Sequence, residues 1–163
     1  MTLKELIEKH PLIFQQYEGN PGGVNWHVPN AWIPVIDNLC GAIQSYINTY
    51  RRSKPNPAYV EGSEWVADDI TTHKYVSIAP NQVTCTQMKE KFGGLRFYIN
   101  GGDDYVEGMI HMAEYMCENM CQYCGTKENL GITGGWITIC CKECSKESSN
   151  WKPKSIINEN NLP

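Results

Sequence analysis

Two stretches of the chain gather the residue types that do chemistry. In CQYCGTKENLGITGGWITICCKEC, Cys121 and Cys124 stand two residues apart, and after sixteen further residues Cys141 and Cys144 repeat the spacing. Two residues between cysteines let one tight turn aim both thiolates at the same ion, and two such pairs supply a closed tetrahedral ligand set. The pattern predicts one structural zinc ion held by Cys121, Cys124, Cys141 and Cys144, with no position left for a catalytic water. Gly125 follows the first pair, where a positive φ is often required. WITI then alternates like a strand and CKECSKESS reads as the start of a short helix, so a treble-clef-like unit is expected. Cys140 competes with Cys141 for the third ligand position, while Cys117, one helical turn before Cys121, is expected to pack. Free or disulfide-bonded thiols are the bland alternative, but cysteines crowded into one third of the chain do not resemble a disulfide framework.

The second stretch, KEKFGGLRFY, places Lys89, Lys91 and Arg96 around a glycine pair in a chain of formal net charge −4. Paired glycines tolerate positive φ, so Gly93 and Gly94 read as a two-residue hairpin turn. Counting outward sets Phe92 against Leu95, Lys91 against Arg96, Glu90 against Phe97 and Lys89 against Tyr98. Met88, Phe92, Leu95, Phe97 and Ile99 then share a face with Glu90, and Lys89, Lys91, Arg96 and Tyr98 share the other. Like charges directly opposite repel by roughly tenths of a kcal/mol. Three arrangements answer that repulsion. The cations splay into water or meet carboxylates such as Asp68, Asp69, Asp103 or Asp104; they hold an anionic ligand or nucleotide, with Tyr98 stacking or donating a hydrogen bond; or they meet an acidic protein partner. A helical turn over TQMKEKF is the competing structure and would scatter the patch.

The elements that must position these residues are legible in part. Thr2 and Glu5 form a capping box for a short helix that Pro11 interrupts. From Trp32, the positions Ile36, Leu39, Cys40, Ile43, Ile47 and Tyr50 recur at helical spacing with Pro34 in the first turn, predicting an amphipathic helix to about Arg52. Asp103 or Asp104 caps a second helix with Val106, Met109, Ile110, Ala113, Met116 and Met120 along one face, its methionines read as core filler. The tract around residues 20–30, with Trp26 and a lone His27, is loop. Residues 53–81 read as an irregular connection with a hint of strand at HKYVSIAP. The expected fold is α+β: a small antiparallel sheet packed with two amphipathic helices over 1–114, a zinc module continuous with it over 115–150, and a loose tail over 151–163.

Composition narrows function by exclusion. With 163 residues, 41% hydrophobic and 20% charged, the chain is of ordinary globular type, and 14 basic against 18 acidic residues disfavour a general nucleic-acid coat. The sequence shows no spanning apolar run and no leader, so a cytoplasmic location without a membrane partner is expected. It carries no nucleophile elbow, Walker loop, dinucleotide fingerprint or paired metal-site histidines, which favours a non-enzymatic role.

The succession AWIPVIDNLC, QMKEKFGGLRFY, GGDDYVEGMIHMAEYM, CQYCG and WITICCKEC resembles a family of small bacteriophage and prophage proteins. The matching positions are Trp32, Asp37, Leu39 and Cys40, then Lys89 through Tyr98, then Cys121, Cys124, Trp136, Cys141 and Cys144. The resemblance implies phage origin and the cytoplasm of a host bacterium, and no activity. Three roles fit such a protein. It binds a small anionic ligand at Lys89, Lys91, Arg96 and Tyr98, such as a nucleotide signal of antiviral defence; it inhibits or adapts a host protein; or, least favoured by its charge, it is a zinc-containing nucleic-acid binder. A homo-oligomer is compatible with each.

Overall fold

The structure, a computed structural model, describes residues 1–15, 26–53, 81–134, 137–145 and 150–154, with backbone only for 50–53. The expected connection and strand between 54 and 80, most of the 20–30 loop, Asp68, Asp69, Trp136 and residues 146–149 and 155–163 lie outside the described residues. The architecture is mixed: helices α1 (Leu3–Lys9), α2 (Ile33–Ser53) and α3 (Asp104–Glu118), a hairpin of β1 (Thr84–Lys91) and β2 (Gly94–Asn100), and a small sheet of β3 (Leu130–Ile132), β4 (Ile139–Cys141) and β5 (Lys152–Pro153). The small sheet runs β4-β3-β5, both pairs antiparallel. Among the described residues, no helix is long and apolar enough to cross a membrane.

Local chemistry starts each helix. The Thr2 hydroxyl accepts from the Glu5 amide, and the Glu5 carboxylate accepts from the Thr2 amide at 2.7 Å, the capping box expected for α1. Asp103, not Asp104, caps α3 by accepting from the Val106 amide, and its other oxygen accepts from the Tyr46 hydroxyl at 2.7 Å, tying α3 to α2. Asp37 anchors α1 to α2 by accepting from Lys9 at 2.8 Å and pairing with His10 at 2.7 Å. Those hydrogen bonds, Lys9 first, hold the Asp37 carboxyl below its ordinary range.

One core joins these elements. Ile33, Ile36, Cys40, Ile43 and Ile47 of α2 meet Met88, Leu95 and Phe97 of the hairpin and Val106, Ile110, Ala113 and Cys117 of α3. Trp32 is fully buried among them, and its indole N–H has no hydrogen-bond partner among the described residues. Of the stripe expected on α3, Val106, Ile110, Ala113 and Met120 are buried in the core and Met109 packs against it, while Met116 is exposed; Cys117 packs fully, as expected. Both edges of the two-stranded sheet are covered, which blunts the usual hazard of free strand edges. Beside β1, the Ile13 carbonyl accepts from Cys85 and the His27 carbonyl accepts from Glu90. Beside β2, the Phe97 amide donates to Glu114 of α3 at 3.0 Å.

The hairpin turn falls one residue earlier than expected. Lys91 pairs with Gly94, and the turn residues are Phe92 (φ 53) and Gly93 (φ 85), both left-handed as a type I′ turn requires. Each strand residue therefore finds a partner displaced by two: Lys89 faces Arg96, Glu90 faces Leu95 and Gln87 faces Tyr98. Two residues is the period of side-chain alternation, so the assignment of strand residues to faces survives the error. Phe92 does not. It leaves the apolar face and stands 71% exposed at the tip. The glycines have separate reasons. A Cβ on Gly93 would crowd Ile139 at 3.0 Å, and one on Gly94 would crowd the Glu118 side chain. A bulge at residue 86 lets Cys85 and Met88, three apart, both reach the core.

The chain passes from core to module between Met120 and Cys121, where burial shifts to a second cluster of Cys121, Cys140 and Cys141 with Leu130 and Trp151 against it. The expectation of a loose tail from 151 fails at its start. Lys152–Pro153 pairs with β3, the Trp151 indole donates to the Cys140 carbonyl at 3.1 Å, and Lys154 donates to the Glu118 carbonyl at 2.8 Å, closing the end of α3.

Candidate metal centre and cationic hairpin

The four sulfurs of Cys121, Cys124, Cys141 and Cys144 all lie within 4.8 Å of one another. Each pair is aimed by its own turn. At the first, the Gly125 amide donates to the Cys121 carbonyl with Gly125 at φ 78, and the Cys121 amide donates to the Thr126 carbonyl. At the second, the Cys144 amide points at the Cys141 sulfur at 3.4 Å, the Ser145 amide donates to the Cys141 carbonyl, and residues 142–145 form turns. Tetrahedral thiolate coordination with bonds of about 2.3 Å has edges of roughly 3.8 Å. The Cys124 to Cys141 separation is 3.8 Å. The cluster is compatible with a structural metal site.

The choice between Cys140 and Cys141 is settled by strand alternation. Neighbours on β4 project to opposite sides, and Cys141 reaches the quartet while Cys140 packs under Trp151. The remaining thiols are insulated: burial pushes Cys40 and Cys117 up to about 12 and raises Cys85 as well. Within the quartet, burial alone would raise Cys121. Backbone donors at Cys124, Cys141 and Tyr123 outweigh it and bring the thiol down to about 6, while Cys144 is pushed up by the neighbouring Cys141 and Cys124 sulfurs.

The module supports the hairpin directly. Gln122, between the first two cysteines, is buried and donates its side-chain amide to the Gly93 carbonyl at 3.1 Å, while Ile139 packs on Gly93. The Glu90 carboxylate accepts from the Gly93 amide at 2.6 Å and fixes the turn from inside. A cleft of about 530 Å³, lined by His27, Asn30, Glu90, Gln122 and Tyr123 among others, opens where hairpin and module meet. It lies on the Glu90 side of the sheet, opposite the cations.

The cationic face holds all four residues predicted for it in two environments. Arg96 is half-buried, pairs with Glu118 at 3.2 Å and donates to the Leu95 carbonyl. Its counter-charge is thus Glu118, not Asp103 or Asp104. Lys89, directly opposite Arg96, turns instead over the Tyr98 ring at 5.5 Å from the centroid, so the two like charges part. Lys91 is exposed with its ammonium 5.4 Å from the Phe92 ring. Among the described residues neither lysine has a carboxylate partner. Sequence reasoning missed Glu114, Glu118 and Gln122. The two glutamates are four apart on a helix, a spacing that announces a shared face but not the strand beneath it.

Comparison with protein-family models, with curated proteins and with solved structures finds no match.

Proposed function

We propose that this is a non-enzymatic binding protein in which a treble-clef-type zinc module props up a hairpin, and the hairpin's outer face takes an anionic ligand. The observation that carries the reading is the division among the cations. Arg96 is neutralised by Glu118, whereas Lys89 and Lys91 stand beside Tyr98 and Phe92 on a turn whose tip is clamped by Gln122 and Ile139. Two ammonium groups that have no carboxylate partner among the described residues, flanked by aromatic faces, suit a phosphate ester carrying a base. With the resemblance to phage proteins, the ligand class is a nucleotide signal of host defence in the bacterial cytoplasm, bound without turnover. A closed tetrahedral array of four thiolates is the usual ligand set of structural zinc, and zinc is the ion proposed here. Metal analysis should give one zinc per chain, lost in the variant carrying both Cys124→Ser and Cys141→Ser.

The exposed tip favours a second reading. Phe92, held out on a fixed turn, has the character of an interface anchor, and an acidic host protein would use the same lysines. Calorimetry with mononucleotides and cyclic dinucleotides, product analysis, and the Lys89→Ala plus Lys91→Ala variant separate the two. The ligand reading expects a nucleotide bound unchanged and a loss of about 1.5–3 kcal/mol per lysine, without a change in melting temperature. Absence of binding to every nucleotide, with a lysine-dependent host protein captured instead, would replace it by the adaptor reading. Nucleotide consumption would overturn both.

A further inference from the structure

We propose that the cleft between the hairpin tip and the cysteine module binds a guanidinium group, held by the Glu90 carboxylate, the Gln122 side-chain carbonyl and the Tyr123 ring. The cleft measures about 530 Å³, and Pro29, Asn30 and Thr138 are among the residues that complete its wall. Small-molecule sites typically occupy about 300–1,000 Å³. It lies on the other side of the sheet from Lys89 and Lys91, so the site stands or falls apart from the anionic ligand proposed for them.

Unspent acceptors set the charge of the ligand. One Glu90 oxygen accepts from the Gly93 amide at 2.6 Å, and among the described residues neither oxygen meets a cation. Gln122 is only 8% exposed, and its side-chain N–H is spent on the Gly93 carbonyl at 3.1 Å. A carbonyl can only accept, so this bond fixes which end of the Gln122 amide is nitrogen and which is oxygen. That oxygen has no hydrogen-bond partner among the described residues. It is not sealed in either, nor is the second Glu90 oxygen, because among the described residues only the Trp32 indole N–H is both buried and unpaired. Both side chains belong to residues that line the cleft, so two free acceptors, one of them charged, open onto it. No lysine or arginine lines it among the described residues.

A guanidinium answers these acceptors better than an ammonium. Its donors sit on separate nitrogens of one plane, so it can reach a carboxylate and an amide oxygen together, and its weakly hydrated face stacks on an aromatic ring. Tyr123, next in the chain to Gln122 and 65% exposed, offers that ring. The acceptors are also held in place beforehand. The Gln122 backbone amide donates to the Ile139 carbonyl at 3.0 Å, the Gly125 amide closes the knuckle onto the Cys121 carbonyl, and the Glu90 amide donates to the His27 carbonyl. Groups fixed in this way cost little further entropy when a ligand binds.

Ethylguanidinium and ethylammonium carry the same charge on the same stem, so titrating each into the full chain and following backbone amide shifts tests the site. Ethylguanidinium should bind saturably with a Kd of about 1–10 mM, as befits so small a ligand, with shifts centred on Gly93, Gln122 and Tyr123. Ethylammonium should bind at least about tenfold more weakly. Glu90→Gln can still accept from the Gly93 amide and keep the turn, yet should weaken ethylguanidinium by about tenfold or more. Tyr123→Ala, at an exposed position, should weaken it by about threefold. L-arginine and an acetylated, amidated Gly-Arg-Gly peptide present the same group from two sources. Tighter binding of the amino acid supports a metabolite as the occupant, and tighter binding of the peptide supports a protein side chain. Equal affinity for the two ethyl cations, or shifts that spare Gly93 and Gln122, would reduce the effect to diffuse attraction by a chain of net charge −4 and overturn the proposal. So would affinity for ethylguanidinium unchanged in Glu90→Gln or in Tyr123→Ala.

Discussion

The helix and hairpin core buries Leu6, Trp32, Ile36, Ile43, Met88 and Leu95 completely, whereas the described residues of the cysteine module bury Cys121, Gln122, Ile139, Cys140 and Cys141, with Leu130 and Trp151 partly covered. At about 1.5–3 kcal/mol for each fully buried large apolar side chain, the first region has enough to order its chain. The second does not. Ordering a residue's backbone costs about 1–2 kcal/mol, and the module runs from Cys121 to Ser145 with a short returning strand. On the proposed reading the four thiolates and their ion stand in for a core that the described residues of the module do not supply, and the module holds the hairpin tip through Gln122 and Ile139.

Metal removal should break that comparison open with the largest effect. Apparent free energies for structural zinc are about 10–16 kcal/mol, coupled to folding. Chelation is expected to expose the amides of Cys121, Gln122, Lys142 and Ser145 to hydrogen exchange while α2 keeps its protection. Gly93 should follow the module, because Gln122 and Ile139 hold it. The ligands must be thiolates, so binding releases protons and metal retention weakens as pH falls. Equal loss of protection through α2 would show one cooperative unit, and an undisturbed module would show that the thiols bind no ion.

Gly131→Ala probes a second fastening of the module. The added methyl would collide with the Trp151 ring and the Lys152 carbonyl, so β5 must move off β3 or the indole must leave the cysteine cluster. Neighbours that cannot yield make such an insertion cost about 1–3 kcal/mol. The expected readout is a lower chelator concentration for release of the metal, with the melting of α2 unchanged. An unaltered chelation curve would mean that Trp151 contributes nothing to holding the module closed.

How far the sequence reached depended on whether a feature was local. The capping box at Thr2 and Glu5, an aspartate cap at 103 or 104 and two cysteine pairs, with Cys140 a rival to Cys141, each rest on residues a few positions apart or on a repeated short spacing, and to that extent were readable. The identities of the cation partners were not, because Glu118 meets Arg96 only when α3 lies along the edge of β2, a consequence of tertiary packing. The glycine pair misled for the same reason. Sequence preference puts both glycines in the turn, but Gly94 is small to admit Glu118, which leaves Phe92 to take a left-handed conformation that local rules would give to asparagine.

Phe92 therefore offers the smallest effect and a reversed sign. A bulky side chain at φ 53 is strained, and with 71% of it exposed little packing offsets that strain. Asparagine adopts this conformation readily and is favoured before glycine in a type I′ turn. Phe92→Asn should stabilise the hairpin by roughly 0.5–1 kcal/mol, seen as a higher melting temperature. The gain should leave Gln122 and Ile139 in place, since both touch Gly93. Loss of stability would show that the ring packs on something the tip needs. A gain in stability together with weaker binding would mean that the exposed aromatic is kept for contact with a partner, at the expense of the turn that carries it.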